Sequence, residues 1–170
     1  RPDPIVDFDA IYIPVGQDGA QDLRLIAPYP VTVDAEHVQL LGNRFWNDDS
    51  VLVVGGNRLD GAVFTDVFDR SSVNPRMADF HSRHRSMFGH RVRYQAASYY
   101  TALGSDSAEM LMGLLNNPAN RSHVALARAL KSRAAFAGVT GLTSFRPSGE
   151  AQKESVFVRI RSGEFMRIVQ

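Results

Sequence analysis

Between Asp7 and Trp46 the chain carries two short apolar runs, each ended by a chain breaker, about 24 residues apart. The first is Phe8-Asp9-Ala10-Ile11-Tyr12-Ile13, closed by Pro14. The second is Val38-Gln39-Leu40-Leu41, closed by Gly42. Runs this short suit strands buried on both faces of a parallel sheet. Their separation is too long for a hairpin and long enough for a crossover, and Gly19 to Ala27 supplies a short helix for it. The expected class is α/β, built from parallel-sheet βαβ units. The loops Val15-Gly16-Gln17-Asp18-Gly19 and Gly42-Asn43-Arg44-Phe45-Trp46 follow these strands. They therefore fall at the carboxyl ends, where open α/β sheets usually hold small ligands.

Further along, Asn47-Asp48-Asp49-Ser50 offers caps for a helix over about Ser50 to Val54, and Gly55-Gly56-Asn57 stops it. Ala62 to Phe68 reads as a third strand. Asn74 and Pro75 start a helix that Gly89 ends, with Met77, Phe80, His84, Met87 and Phe88 on one face. A longer helix spans roughly Ala96 to Asn116, continuous or interrupted near Gly104-Ser105. Its apolar side is Tyr99, Tyr100, Leu103, Met110, Leu111, Leu114 and Leu115. Another helix runs from about His123 to Arg133, with Leu126 and Leu130 toward the core. The tail reads as strands over Val139 to Phe145, Val156 to Ile160 and Phe165 to Ile168. Arg161-Ser162-Gly163-Glu164 turns the last two into a carboxyl-terminal β-hairpin.

Net charge and cysteine content exclude several functions. A formal charge of +1 gives no global attraction to nucleic acid or membrane. The absence of cysteine removes disulfides, thiolate nucleophiles and Cys-based zinc sites. No apolar run approaches the ~20 residues of a membrane span. The opening Arg1-Pro2-Asp3-Pro4 has linker composition and no initiator Met, so we expect a piece of a longer chain. No Gly-x-Ser-x-Gly elbow, P-loop or dinucleotide fingerprint is present, and no grouping supplies acid, base and nucleophile. We expect no enzyme, no cofactor and no metal.

Three other groupings have plain structural readings. His81-x-x-His84 has metal-pair spacing on a helix but lacks a third ligand, and His84 falls on the apolar stripe, which favours packing. Arg83, Arg85, Arg91 and Arg93 with His81, His84 and His90 form an acid-free stretch, read as a solvated helix end or an anionic docking patch. It lacks interleaved stacking aromatics, which argues against nucleic acid. Asp106 is expected to cap a helical segment beginning after Gly104, with contact to a ligand as the alternative.

Three pieces in order resemble a known family. They are Asp9-Ala10-Ile11-Tyr12-Ile13-Pro14 with Leu41-Gly42 and Trp46, then Pro75, Phe80, His84 and Phe88-Gly89 leading to Tyr100 and Ala102 through Ala108. The third is Phe136 through Phe145 with Gly149 and the final hairpin. Together they look like the carboxyl-terminal half of a type I periplasmic binding protein of the branched-chain amino-acid receptor type. The Phe8-Asp9-Ala10-x-x-Ile13-Pro14 opening is most similar to penicillin-binding-protein activators and related periplasmic lipoproteins.

The resemblance implies an incomplete two-lobed fold. Residues 1–63 would form a βαβ segment of the second lobe, 64–149 would return to the first lobe, and 150–170 would cross back as the hairpin. First-lobe helices would then expose apolar faces unless the missing first half or a second copy of the chain covers them. It also implies a non-enzymatic solute-binding module of an ABC-transporter receptor in the periplasm, lipid-anchored through a segment outside these residues. The ligand would be small and polar or anionic, held between lobes. The alternative is a regulatory partner of peptidoglycan synthases that holds no small molecule.

Candidate ligand residues are Gly16, Gln17, Asp18, Asn43, Arg44 and Trp46. Amino-acid receptors of this family carry an aromatic near the position of Gly16 and an acid near that of Arg44. A guanidinium cannot accept from a ligand's ammonium, so Arg44 argues against a free amino acid and for a carboxylate or phosphate. Its ordinary reading is a solvated loop residue. Trp46 is read as packing, with a stacking surface as the alternative.

Overall fold

The computed structural model describes residues 7–17, 19–32, 35, 37–70, 72, 75–90 and 97–169. Contacts divide the chain into a unit of residues 1–71 with 155–170 and a second of residues 72–154. The divisions expected from the sequence, 63/64 and 149/150, fall inside one strand and inside a strand-to-strand turn.

The first unit begins with β1 (Ala10–Ile13), α1 (Gly19–Ile26) and a single turn, α2 (Tyr29–Thr32). Next come β2 (Gln39–Gly42), α3 (Asp49–Gly55) and β3 (Val63–Asp66). Asp48 caps α3 by accepting from the Ser50 amide at 2.8 Å, which explains why that short helix starts where the sequence places it. The strands lie in the order β1-β2-β3 and pair in parallel, Ile11 beside Leu40 and Gly42 beside Phe64.

The second unit holds three helices, α4 (Pro75–Phe88), α5 (Tyr99–Leu115) and α6 (His123–Ser132), and a three-stranded antiparallel sheet. Its strands are β4 (Phe136–Gly138), β5 (Gly141–Phe145) and β6 (Ala151–Lys153). The chain then returns to the first unit through β7 (Val156–Arg161) and β8 (Glu164–Ile168), which extend the parallel strands as an antiparallel edge, order β1-β2-β3-β7-β8. Ser162 and Gly163, both with positive φ (52° and 76°), make the two-residue turn that a tight hairpin needs.

The core of the first unit lies on one face of its sheet. Ile13, Leu40, Phe64, Val158 and Ile160 pack against Leu23 of α1 and Val51 of α3, with Trp46 among them. The sequence led us to expect burial on both faces. The alternate residues Tyr12, Leu41, Val63, Phe157 and Arg159 are half-buried or exposed instead. Four-residue runs cannot reveal this, because a run apolar throughout fits either arrangement.

In the second unit α5 is continuous through Gly104, starting from a Ser98 cap. Tyr100, Leu111, Met112 and Leu115 on it are exposed. Asp106 does not cap a segment after Gly104. It sits in the middle of α5, 3% exposed, and accepts from Val139 N at 2.6 Å, Thr140 N at 2.8 Å and Thr140 Oγ1 at 2.5 Å. It therefore satisfies the turn between β4 and β5, which takes up Val139 and Thr140, so the strand expected over Val139 to Phe145 begins at Gly141. Gly138 allows this approach, since a Cβ there would overlap the carboxylate.

Candidate functional site

Parallel β1, β2 and β3 end together, so their following loops share the carboxyl edge of the first unit's sheet. After β1 the chain passes through Pro14 and buried Val15 to exposed Gly16 and Gln17. A Gly19 N to Gly16 O bond of 3.0 Å closes that loop. A Cβ on Gly16 would meet nothing within 4 Å, so its backbone faces open space. Asp18 lies outside the described residues.

After β2, Asn43 joins two loops. Its Nδ2 donates to Val15 O at 3.0 Å and its Oδ1 accepts from Phe45 N at 3.3 Å, starting a 3-10 turn over Arg44–Trp46. Both ends of the amide are thus engaged in holding the edge together. Trp46 is 0% exposed, and its indole N–H donates to Ile13 O at 3.2 Å. It packs beside Phe64 and over Gly42, where a Cβ would overlap the indole. A stacking role toward ligand is closed to a ring with no exposed surface. Trp46 is the floor of the edge, and the packing reading is the one the geometry supports. Arg44 is half-buried, its guanidinium carbon 4.9 Å from the Phe45 ring centre.

The residue that sequence reading missed is Asp66, the last of β3. It is 4% exposed. One carboxylate oxygen accepts from Asn47 Nδ2 at 2.6 Å, the other from the amides of Val67 at 2.6 Å and Phe68 at 3.3 Å. Asn47 also donates to Phe68 O at 2.9 Å. Burial raises the Asp66 pKa; the Asn47 bond, the two amide bonds and the nearby Arg44 charge oppose that without cancelling it. An acid inside the largely apolar run Ala62 to Phe68 was the available signal. Asp66 fixes the β3 loop through these bonds, but has no surface of its own to offer.

The edge therefore presents the Gly16-Gln17 backbone and the Arg44 guanidinium, held from behind by Asn43, Trp46, Asn47 and Asp66. It is an open edge. A cavity of about 500 Å³ lies at the opposite, amino edge, lined by His37, Gln39, Asn57, Arg58 and Asp60 among others. His84 in the second unit is buried between the rings of Phe80 and Phe88, at 6.2 Å and 5.2 Å. No group of three potential metal ligands occurs among the described residues. Arg91 and Arg93 of the basic stretch lie outside them; Arg83 pairs with Asp79 at 2.9 Å. Among the described residues no helix is long and apolar enough to cross a membrane.

No protein-family model and no curated protein matches the sequence. Solved structures do match. A leucine-binding protein from Thermotoga maritima aligns with TM-score 0.73 and 19% identity over 95% of this chain and 44% of its own. A putative branched-chain amino acid ABC transporter protein from Rhodospirillum rubrum aligns with TM-score 0.75 and 22% identity over 94% and 44%. A solute-binding protein from R. palustris in complex with benzoate gives 0.66 and 16% over 94% and 42%. The fold is half of a type I periplasmic-binding-protein fold, as the sequence resemblance implies, and the chain spans less than half the length of the structures it matches.

Proposed function

We propose that this chain is the ligand-gripping part of an ABC-type solute-binding receptor, non-enzymatic, acting on the periplasmic or extracellular side of a membrane. The ligand class is a small carboxylate. The observation that carries this reading is Arg44, half-buried in the loop at the carboxyl edge of the parallel strands. A guanidinium carries the planar, paired set of donors that matches a carboxylate. Leucine and benzoate, named for two of the matched structures, share that group and little else. Gly16 and Gln17, with Asp18 between them and α1, would supply the rest of the contact. Asn43 and Trp46 would hold the loops in place.

The missing first half of the fold, or a second copy of the chain, would complete the protein. The exposed Tyr100, Leu111, Met112 and Leu115 of α5 support such a partner. The second reading is a regulatory partner of peptidoglycan synthases with no small ligand, supported by the Phe8-to-Pro14 opening. Thermal unfolding with a panel of carboxylates, leucine and benzoate included, separates the two. A ligand at a hundredfold excess over its Kd stabilises the native state by about 2.7 kcal/mol, and Arg44→Glu should abolish the shift. No shift from any carboxylate, with a synthase retained by the immobilised protein, would favour the second reading.

A further inference from the structure

The cavity of about 500 Å³ at the amino edge of the first unit's sheet has the size of a small-molecule pocket. Four buried apolar residues form its floor: Ala27 just after α1, Val38 and Leu40 around the start of β2, and Ala62 before β3. Its polar groups are set by two short-range devices. After α3 ends at Gly55, a 3-10 turn runs over Gly56–Leu59. Leu59 is 1% exposed and packs over Gly55, where a Cβ would overlap it. With Leu59 anchored inward, its neighbours Arg58 and Asp60 are exposed, and both line the cavity. Asp60 Oδ1 accepts from Ser162 N at 2.6 Å and Gly61 N donates to Ile160 O at 2.8 Å, which ties this loop to the β7–β8 hairpin. Gln39 is fixed as well, its Nε2 donating to Leu40 O at 3.0 Å and to Gly61 O at 2.9 Å.

These bonds leave particular atoms spare. Arg58 and Asp60 do not pair with each other, although two residues apart. Among the described residues the Arg58 guanidinium has no partner, and Gln39 Oε1 and Asp60 Oδ2 accept from no donor. The cavity thus offers one cation, one anion and one neutral acceptor over an apolar floor. A ligand that is only an anion is drawn to Arg58 and repelled by Asp60, and one that is only a cation meets the reverse conflict. A molecule carrying both charges complements both. We propose that this cavity binds a small zwitterion with an apolar body, of α-amino-acid form. Its carboxylate meets Arg58, its ammonium meets Asp60 Oδ2 and Gln39 Oε1, and its side chain lies over Val38, Leu40 and Ala62. The place is separate from the carboxyl edge, because strand β2 (Gln39–Gly42) sets roughly 10 Å of extended backbone between the two. It also takes the ammonium that Arg44 would repel, and it does not depend on Arg44 holding a ligand.

Calorimetric titration of the protein with L-methionine, L-valine and L-phenylalanine tests this. At least one should bind saturably. Its N-acetyl derivative, an anion, and its amide, a cation, should each bind at least about tenfold more weakly, the worth of one hydrogen bond between charged groups. Arg58→Glu should abolish binding, and Arg44→Glu should leave it unchanged. Asp60→Asn keeps an acceptor for Ser162 N and loses the charge. It should therefore weaken the amino acid and strengthen the N-acetyl derivative, a reversal that partial unfolding cannot produce. In the unsubstituted protein the amide resonances of Gln39, Asp60 and Gly61 should move on binding while those of Gly16 and Gln17 stay, which needs no variant to fold. Absence of binding by all three amino acids overturns the proposal. So does binding that Arg44→Glu abolishes, or an N-acetyl derivative that binds the unsubstituted protein as tightly as its parent. Failure of benzoate to bind would count against the carboxyl edge and not against this cavity.

Discussion

Replacing Asp106 with Ala should unfold the second unit more readily by a calculable amount. The carboxylate accepts from two backbone amides and one hydroxyl, all buried. Truncation strands the Val139 and Thr140 amides, and each buried donor without a partner costs about 1–3 kcal/mol. Thr140 Oγ1 also accepts from Lys153 Nζ at 2.5 Å, so loss of the anion removes the charge that Lys153 faces through that hydroxyl. Burial lowers the Lys153 pKa and the Asp106 charge opposes that, so the ammonium is held at some cost which Asp106 partly offsets. The sum is roughly 3–5 kcal/mol, the range for breaking a buried ionic arrangement by removing one member. Asp106→Asn keeps one acceptor but turns an NH₂ toward a donor, and should lose about half as much. Urea unfolding followed by circular dichroism measures the loss, and amide exchange at Val139 and Thr140 localises it. A change below about 1 kcal/mol for Asp106→Ala would refute the claim that this carboxylate holds the β4–β5 turn.

Two further perturbations test the carboxyl edge. Gly42→Ala places a methyl into the Trp46 indole and should cost about 1–3 kcal/mol as overpacking. Trp46 is the only tryptophan, so its emission should shift to the red; unchanged emission and stability would contradict the close contact. Asp66 has a folded pKa above its ordinary 3.8, so its folded state binds more protons than the unfolded chain. Its contribution is therefore fully present below pH 3.8 and is lost as pH rises through the folded pKa. The stability of the parent protein minus that of Asp66→Asn should fall over that interval, and a difference that rises instead would reverse the assigned cause.

Local signals located most of the elements. Pro75 opens α4, α6 follows the turn that ends at Ser122, and the apolar runs at β1 and β2 lie within a residue or two of where their composition and chain breakers put them. These are short-range effects, decided by the residue and its neighbours within a turn. The α/β class and the position of the loops at the carboxyl edge follow from the same information, because a crossover between two short runs forces parallel pairing. Arg44 was legible as a cation after β2 for that reason.

What the chain alone left open is every feature that depends on residues far apart in sequence. Asp106 looks like a local cap until Val139 and Thr140, more than 30 positions away, arrive to use its oxygens. Trp46 could stack or pack, and only its burial against Ile13 and Phe64 decides. Asp66 gains meaning from Asn47, 19 residues earlier. The face on which α1 and α3 lie, and so the face left bare, is set by the handedness of the crossovers and the pairing of five strands. A hydrophobic pattern of four residues cannot encode that, because burial on a second face comes from whatever else packs there.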